Sequence, residues 1–106
     1  ENSITRGTGN VCADLDMPDA NDRQTKTRLA MALNHIIKDQ GLKQIDTARL
    51  LGVPQPNVPA LVNYRLDGFS VEKLMEYLGA LGRDVDIIVR PKRGDAAARV
   101  VVLEAA

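Results

Sequence analysis

The chain has 106 residues, 44% hydrophobic and 26% charged, which are the proportions of a small soluble domain with a single core. Lys plus Arg and Asp plus Glu both total 14, so no overall positive charge attracts nucleic acid, and any DNA binding must come from a local patch. The single cysteine excludes an internal disulfide, and no apolar run approaches the ~18 residues of a membrane span, so we expect a cytoplasmic protein.

The beginning of the chain is polar. Residues 1–10 include Gly7 and Gly9 and are predicted to be a flexible tail. Residues 11–106 are predicted to form one domain, because no repeat, low-complexity run or linker divides them. The first stretch of that domain, VCADLDM at 11–17, alternates weakly between apolar and acidic residues, which fits either an extended arm or a short edge strand.

Next comes the longest predicted helix, over about residues 19–40. Asp19 is its predicted N-cap and Gly41 its stop. Its inward face is predicted from apolar residues at three-and-four spacing: Leu29, Ala32, Leu33, Ile36 and Ile37.

A second, short helix is predicted over 44–51 and ends at Gly52. Its inward residues should be Ile45, Ala48 and Leu51.

Three prolines then fall where a third helix is expected, at positions 54, 56 and 59. Pro54 and Pro56 suit a helix start, where the amide hydrogens have no internal partner. Pro59 would cost ~3 kcal/mol inside an unrelieved helix. The sequence therefore predicts that the regular helix starts late, near Asn57, after a tight turn or extended stretch, or that it is kinked over residues 55–59.

The last predicted elements are a helix and two strands. Ser70 should cap a helix over Val71–Leu81, closed by Gly82. The β-branched runs at 85–91 and 99–103 predict a C-terminal β-hairpin within about 85–104. The predicted fold is mainly α (α+β), a helical domain with this hairpin.

Residues 44–61 satisfy the geometric requirements of a helix-turn-helix. Ala48 is small where two helices cross, Gly52 allows a tight turn, and apolar residues follow to hold the second helix: Val53, Val58 and Leu61. The core of this motif and its flanking helices is predicted at about 29–81. A generic helical bundle would use the same small residues for packing and is the alternative interpretation.

The sequence also resembles the Xre-type, phage-repressor-like helix-turn-helix regulators, in particular the branch related to HigA-type antitoxins. The similarity lies in GNVCADLDMPDA, LKQIDTARLLGVPQPNV and FSVEKLMEYLGALGRDVDIIVRP, within residues 9–91. It implies a lambda-repressor-like domain, a homodimer that represses its own promoter with its third helix in the major groove of a palindromic operator. It implies no cofactor, and it implies that a small toxin protein is a possible second partner.

The resemblance also implies which residues contact DNA. Gln44 would touch a phosphate, and three residues would read base edges: Gln55, Asn57 and Ala60. Gln and Asn amides suit adenine, and an alanine methyl suits thymine. Three flanking residues would hold further phosphates: Lys43, Asn63 and Arg65.

The sequence departs from the family pattern at Pro54 and Pro59, where the family usually has polar residues. A further hypothesis is therefore that Pro59 has weakened DNA binding and left a dimerising domain or an antitoxin-type interaction protein. His35 is the only histidine and Cys12 the only cysteine, and no phosphate loop or catalytic pair appears, so no metal site and no enzyme are expected. Excess apolar surface on the two β-branched runs predicts dimerisation through the strands or the last helix.

Overall fold

The computed structural model describes residues 16–92, 94–95 and 97–105, and of residues 16–20 the backbone only. The predicted tail at 1–10 lies outside these described residues, as does most of the predicted arm. In the described part the chain forms four helices: α1 (Asp16–Asp39), α2 (Gln44–Leu51), α3 (Asn57–Val62) and α4 (Val71–Ala80).

Helix α1 begins at Asp16, three residues before the predicted start, so the prediction of Asp19 as N-cap is wrong. Pro18 did not delay the helix, because a proline in the first turn replaces an amide that has no acceptor there. The helix ends as predicted at the glycine: Gly41 has a φ of +63°, and the N–H of Leu42 donates to the carbonyl oxygen of Ile37 (3.0 Å).

One core holds the four helices together. Helix α1 packs on α4 and α3, and α2 packs on α3 and α4. The largest fully buried side chains come from all four helices: Leu33, Thr47, Val58, Leu61 and Leu74. Aromatic residues also contribute, because the rings of Phe69 and Tyr77 are both buried and pack edge to face with centroids 6.2 Å apart.

The buried face of α2 differs from the predicted one. Ala48 and Leu51 are buried as expected, but Ile45 is 52% exposed and Thr47 is fully buried. The Thr47 hydroxyl donates to the carbonyl oxygen of Lys43 (2.9 Å), which satisfies its polar group inside the core. The prediction for Ile45 is therefore wrong.

Helix α4 agrees with the sequence pattern. The Ser70 hydroxyl accepts a hydrogen bond from the N–H of Lys73 (3.1 Å), which is the predicted N-cap. The helix ends at Ala80, one residue earlier than expected. Leu74 and Leu78, four residues apart, are both buried.

The predicted C-terminal β-hairpin is not supported. The described residues between Arg83 and Ala105 contain a turn at 94–95 but no strand. Two short strands bury too little apolar surface to be stable by themselves. In this structure most apolar side chains of the two β-branched runs are exposed. This segment does return to the helices, since His35 Nδ1 lies 3.1 Å from a carboxylate oxygen of Glu104 and Val102 packs against the core.

Candidate nucleic-acid interface

The turn between α2 and α3 is built around Gly52. This residue has a φ of +70°, a left-handed conformation that glycine adopts without the strain of a side chain. The next amide, of Val53, donates to the carbonyl oxygen of Ala48 (3.1 Å), which closes the end of α2. The direction in which the chain leaves α2 is therefore fixed, and the proline-containing residues 54–56 that follow lie at the surface.

Pro54 and Pro56 lie in a tight turn that precedes α3. The N–H of Asn57 donates to Pro54 O (2.9 Å), and the N–H of Val58 donates to Gln55 O (3.0 Å). Helix α3 then begins at Asn57, which confirms the prediction of a late start after a tight turn.

Pro59 is consequently the third residue of α3 rather than an interior one. Its missing N–H would have pointed toward the carbonyl oxygen of Gln55, which lies outside the helix and already accepts from Val58. No helical hydrogen bond is lost, so the cost of a proline in a helix interior does not apply.

Helix α3 is short but firmly anchored. Val58 and Leu61 are each 1% exposed and lie three residues apart, so one side of the helix is held in the core. Because this anchoring side is fixed, the residues at the entry to the helix are held at a defined position on the surface.

The residues predicted to contact DNA lie at the start of α2, in the turn before α3, in α3 itself and in the loop after it. Lys43 and Gln44 are exposed at the start of α2, and Gln55 is exposed in the turn before α3. Asn57, the first residue of α3, is half-buried. Arg65 is exposed in the loop that follows α3. The structure thus places these five side chains on the two helix starts and on the loop beside them.

Two of the predicted residues make contacts within the protein. Ala60 is half-buried and packs against the core, so its methyl group is only partly available to a thymine. The Asn63 side-chain amide donates to the carbonyl oxygen of Pro59 (2.9 Å), which uses part of its hydrogen-bonding capacity. Sequence spacing alone did not reveal either contact.

The charge of this region differs from that of the whole chain. Residues 43–65 contain three cations, at Lys43, Arg49 and Arg65, and one acid, Asp46, in a chain whose charges balance. The acid lies 3.7 Å from an Arg49 nitrogen, an exposed pair of little energetic weight. No charged residue occurs from 54 to 64, so the turn and α3 present neutral amides flanked by positive charge.

Sequence reasoning missed two residues that shape this surface. Thr47 accounts for the position of Lys43, because both its N–H and its hydroxyl donate to the Lys43 carbonyl oxygen at 2.9 Å. Tyr64 has a φ of +59° and ends α3, with its N–H donating to Leu61 O (3.2 Å). A threonine at the fourth position of the predicted second helix was the available sequence signal for Thr47, whereas no sequence signal pointed to Tyr64.

Other kinds of site find no support in the described part of the chain. Among residues 16–92, 94–95 and 97–105, no group of three or more His, Cys, Asp or Glu side chains could hold a metal ion. In the same residues, no helix is both long and apolar enough to cross a membrane.

A short second helix, a glycine turn and an anchored third helix, packed between two longer helices, define a helix-turn-helix domain. A family model described as a helix-turn-helix domain matches residues 11–90, and the chain belongs to this family. It is also similar to a solved structure named "Putative XRE Family Transcriptional Regulator", with 55% identity and a TM-score of 0.79 over 83% of this chain and 100% of that chain. These matches confirm the Xre-type resemblance. A search of curated proteins finds no match.

Proposed function

We propose that the protein is a sequence-specific DNA-binding transcriptional regulator that acts as a homodimer and represses its own promoter. The observation that carries the proposal is the entry to α3, where the exposed Gln55 precedes a helix anchored by Val58 and Leu61. Membership of the helix-turn-helix family and the similarity to an XRE regulator support the same function.

Base reading is assigned chiefly to Gln55 and Asn57. Each amide offers one donor and one acceptor, the pair that adenine presents in the major groove. Because Gln55 is exposed and Asn57 is half-buried, we expect Gln55 to contribute more to sequence specificity than Asn57. Ala60 keeps a smaller proposed role, as an apolar contact at the edge of the groove.

Phosphate binding is assigned to the flanking residues. Lys43 and Arg65 supply positive charge on either side of the neutral turn, and Gln44 lies at the start of α2 beside Lys43. Asn63 is a weaker candidate because its amide is already bonded to Pro59. Such contacts position the protein on the duplex without reading its sequence.

The test is selection of bound sites from random duplex DNA by the wild-type protein. We expect an enriched sequence with dyad symmetry, since a two-fold dimer binds two half-sites about one helical turn apart. Replacing Gln55 with Ala should reduce the preference for that site by about 1 to 3 kcal/mol.

The matched control is Gln24→Ala, which removes the same amide from an exposed position on α1. This variant should bind like the wild type. Recovery of no enriched sequence would refute the function, whereas an equal loss in both variants would refute the role of Gln55.

A second candidate function, compatible with the first, is neutralisation of a small toxin by an antitoxin of the HigA type. Apolar side chains exposed near the C-terminus support it, with Val101 52% and Leu103 80% exposed. Co-purification with the product of an adjacent short gene is expected. Isolation of the protein alone from its native host, in the absence of any such neighbouring gene, would exclude this function.

A further inference from the structure

Residues 84–92, with the sequence DVDIIVRPK, form an exposed segment after α4 that contains no helix, strand or turn. Three consecutive apolar side chains in its centre are largely open to solvent: Ile87 is 76%, Ile88 is 79% and Val89 is 91% exposed. A single folded chain gains nothing from displaying this much apolar surface, whereas a partner surface would bury it.

The backbone of this segment is also available for pairing. Among the described residues, the last backbone hydrogen bond of the helical region runs from the N–H of Arg83 to Leu78 O (2.9 Å). No described residue after it makes another backbone–backbone bond. A stretch whose N–H and C=O groups are open can become extended and pair as a strand with another chain.

The side chains of this segment separate by type when it is a strand. Alternate residues of a strand lie on opposite faces. One face would carry only apolar side chains, from Val85, Ile87, Val89 and Pro91. The other would carry two acids, then an isoleucine, then two bases: Asp84, Asp86, Ile88, Arg90 and Lys92.

That second face is complementary to itself. In an antiparallel pair centred on Ile88, Asp86 of each copy lies opposite Arg90 of the other, and Asp84 lies opposite Lys92. All four cross-strand pairs then join opposite charges, which favours the pairing. A parallel, in-register pair would instead place each charge beside its own copy.

Pro91 is compatible with the same register. When the two copies of Ile88 exchange backbone hydrogen bonds, the even-numbered residues direct their N–H groups toward the partner and the odd-numbered residues direct theirs away. The missing N–H of Pro91 then faces outward, where a strand tolerates proline.

We propose that the partner of this segment is a second copy of the chain, and that residues 84–92 of two copies pair as antiparallel strands centred on Ile88. The proposal rests on the homodimer of the proposed function and specifies where its interface lies. The charge pattern favours a second copy over an unrelated protein. The acids at one end of the segment and the bases at the other end pair with an antiparallel copy of the same segment, so no other partner is needed.

The register is tested by charge reversal at positions 86 and 90. The single variants Asp86→Arg and Arg90→Asp each place like charges opposite one another in their own dimers. Each should self-associate at least about tenfold more weakly than the wild type, as measured by analytical ultracentrifugation without DNA. A mixture of the two variants restores opposite charges in every pair and should associate like the wild type.

The double variant Asp86→Arg with Arg90→Asp should also dimerise, since positions 86 and 90 exchange charges and every cross-strand pair still joins opposite charges. Asp84→Arg mixed with Arg90→Asp is the register control, because rescue by that mixture would indicate a pair centred on Ile87 and overturn the proposed register. Positions 84, 86 and 90 are all exposed, so helical circular dichroism should be unchanged in every variant.

Two results would overturn the interface: a wild-type protein that is monomeric at tens of micromolar, or single variants that remain fully dimeric. Selection of DNA sites by the wild type gives a separate result for the proposed function. A specific site bound by a protein whose dimer ignores charge reversal would reject this interface alone, whereas a charge-dependent dimer that selects no site would reject DNA binding alone.

Discussion

Gly52 is the residue on which the geometry of the turn depends. Its φ of +70° lies where a side chain is strained, although a Cβ added there would meet no atom within 4 Å. The glycine is therefore required by backbone conformation and not by lack of space.

Gly52→Ala is expected to lower the free energy of unfolding by about 1 kcal/mol, measured by urea denaturation, because alanine must adopt the left-handed conformation. Gly68→Ala is the matched control, since that position is equally open and lacks the positive φ. It should be neutral or slightly stabilising. Equal losses in both variants would contradict the importance of the Gly52 conformation.

At the scale of elements, α3 shows how a sequence with three prolines forms a usable helix. Two prolines lie in the preceding turn and the third occupies the third helical position, where no hydrogen bond is broken. Pro18 occupies the equivalent third position of α1. Proline in both places marks the beginning of a helix and not a defect within it.

Pro59→Ala is therefore expected to change the free energy of unfolding by less than about 1 kcal/mol, because alanine gains no helical hydrogen bond there. Pro18→Ala should behave in the same way and is the control. Stabilisation of about 2 to 3 kcal/mol by Pro59→Ala alone, seen in thermal or urea unfolding, would show that the proline strains α3 after all.

Local signals in the sequence predicted these elements well. Gly52, Ser70 and the prolines act on their immediate neighbours, so their effects appear in the sequence. The buried face of α2 could not be predicted in the same way, because a helix of eight residues allows more than one inward face. In the folded chain Thr47 is buried and Ile45 is exposed. The two β-branched runs have the local preference of strands, but a strand needs a partner that the sequence pattern does not locate.

The predicted site also contains both kinds of residue: some whose surroundings follow from local sequence, and some whose surroundings arise only from folding. Exposure of Gln55 followed from its place in the turn before α3. The packing of Ala60 and the bond between Asn63 and Pro59 arise from the folded backbone, and spacing gave no sign of them. The roles of all these residues toward DNA stay predictions.

For the whole molecule, the balance of charge limits how DNA is bound. With 14 cations and 14 acids, the chain lacks a general attraction to the duplex, and only a few local cations lie beside the turn. In the proposed homodimer, affinity should therefore depend on correct docking at both half-sites. We expect weak binding to random DNA and a large gain on a matched site.

The most direct test is the affinity of the wild-type protein for its selected site and for a scrambled duplex of equal length, measured by fluorescence anisotropy across a series of salt concentrations. We expect sequence-specific binding, at least ~10³-fold tighter to the selected site at ~100 mM salt, with affinity falling as salt rises. Equal affinity for both duplexes at that salt concentration would contradict it.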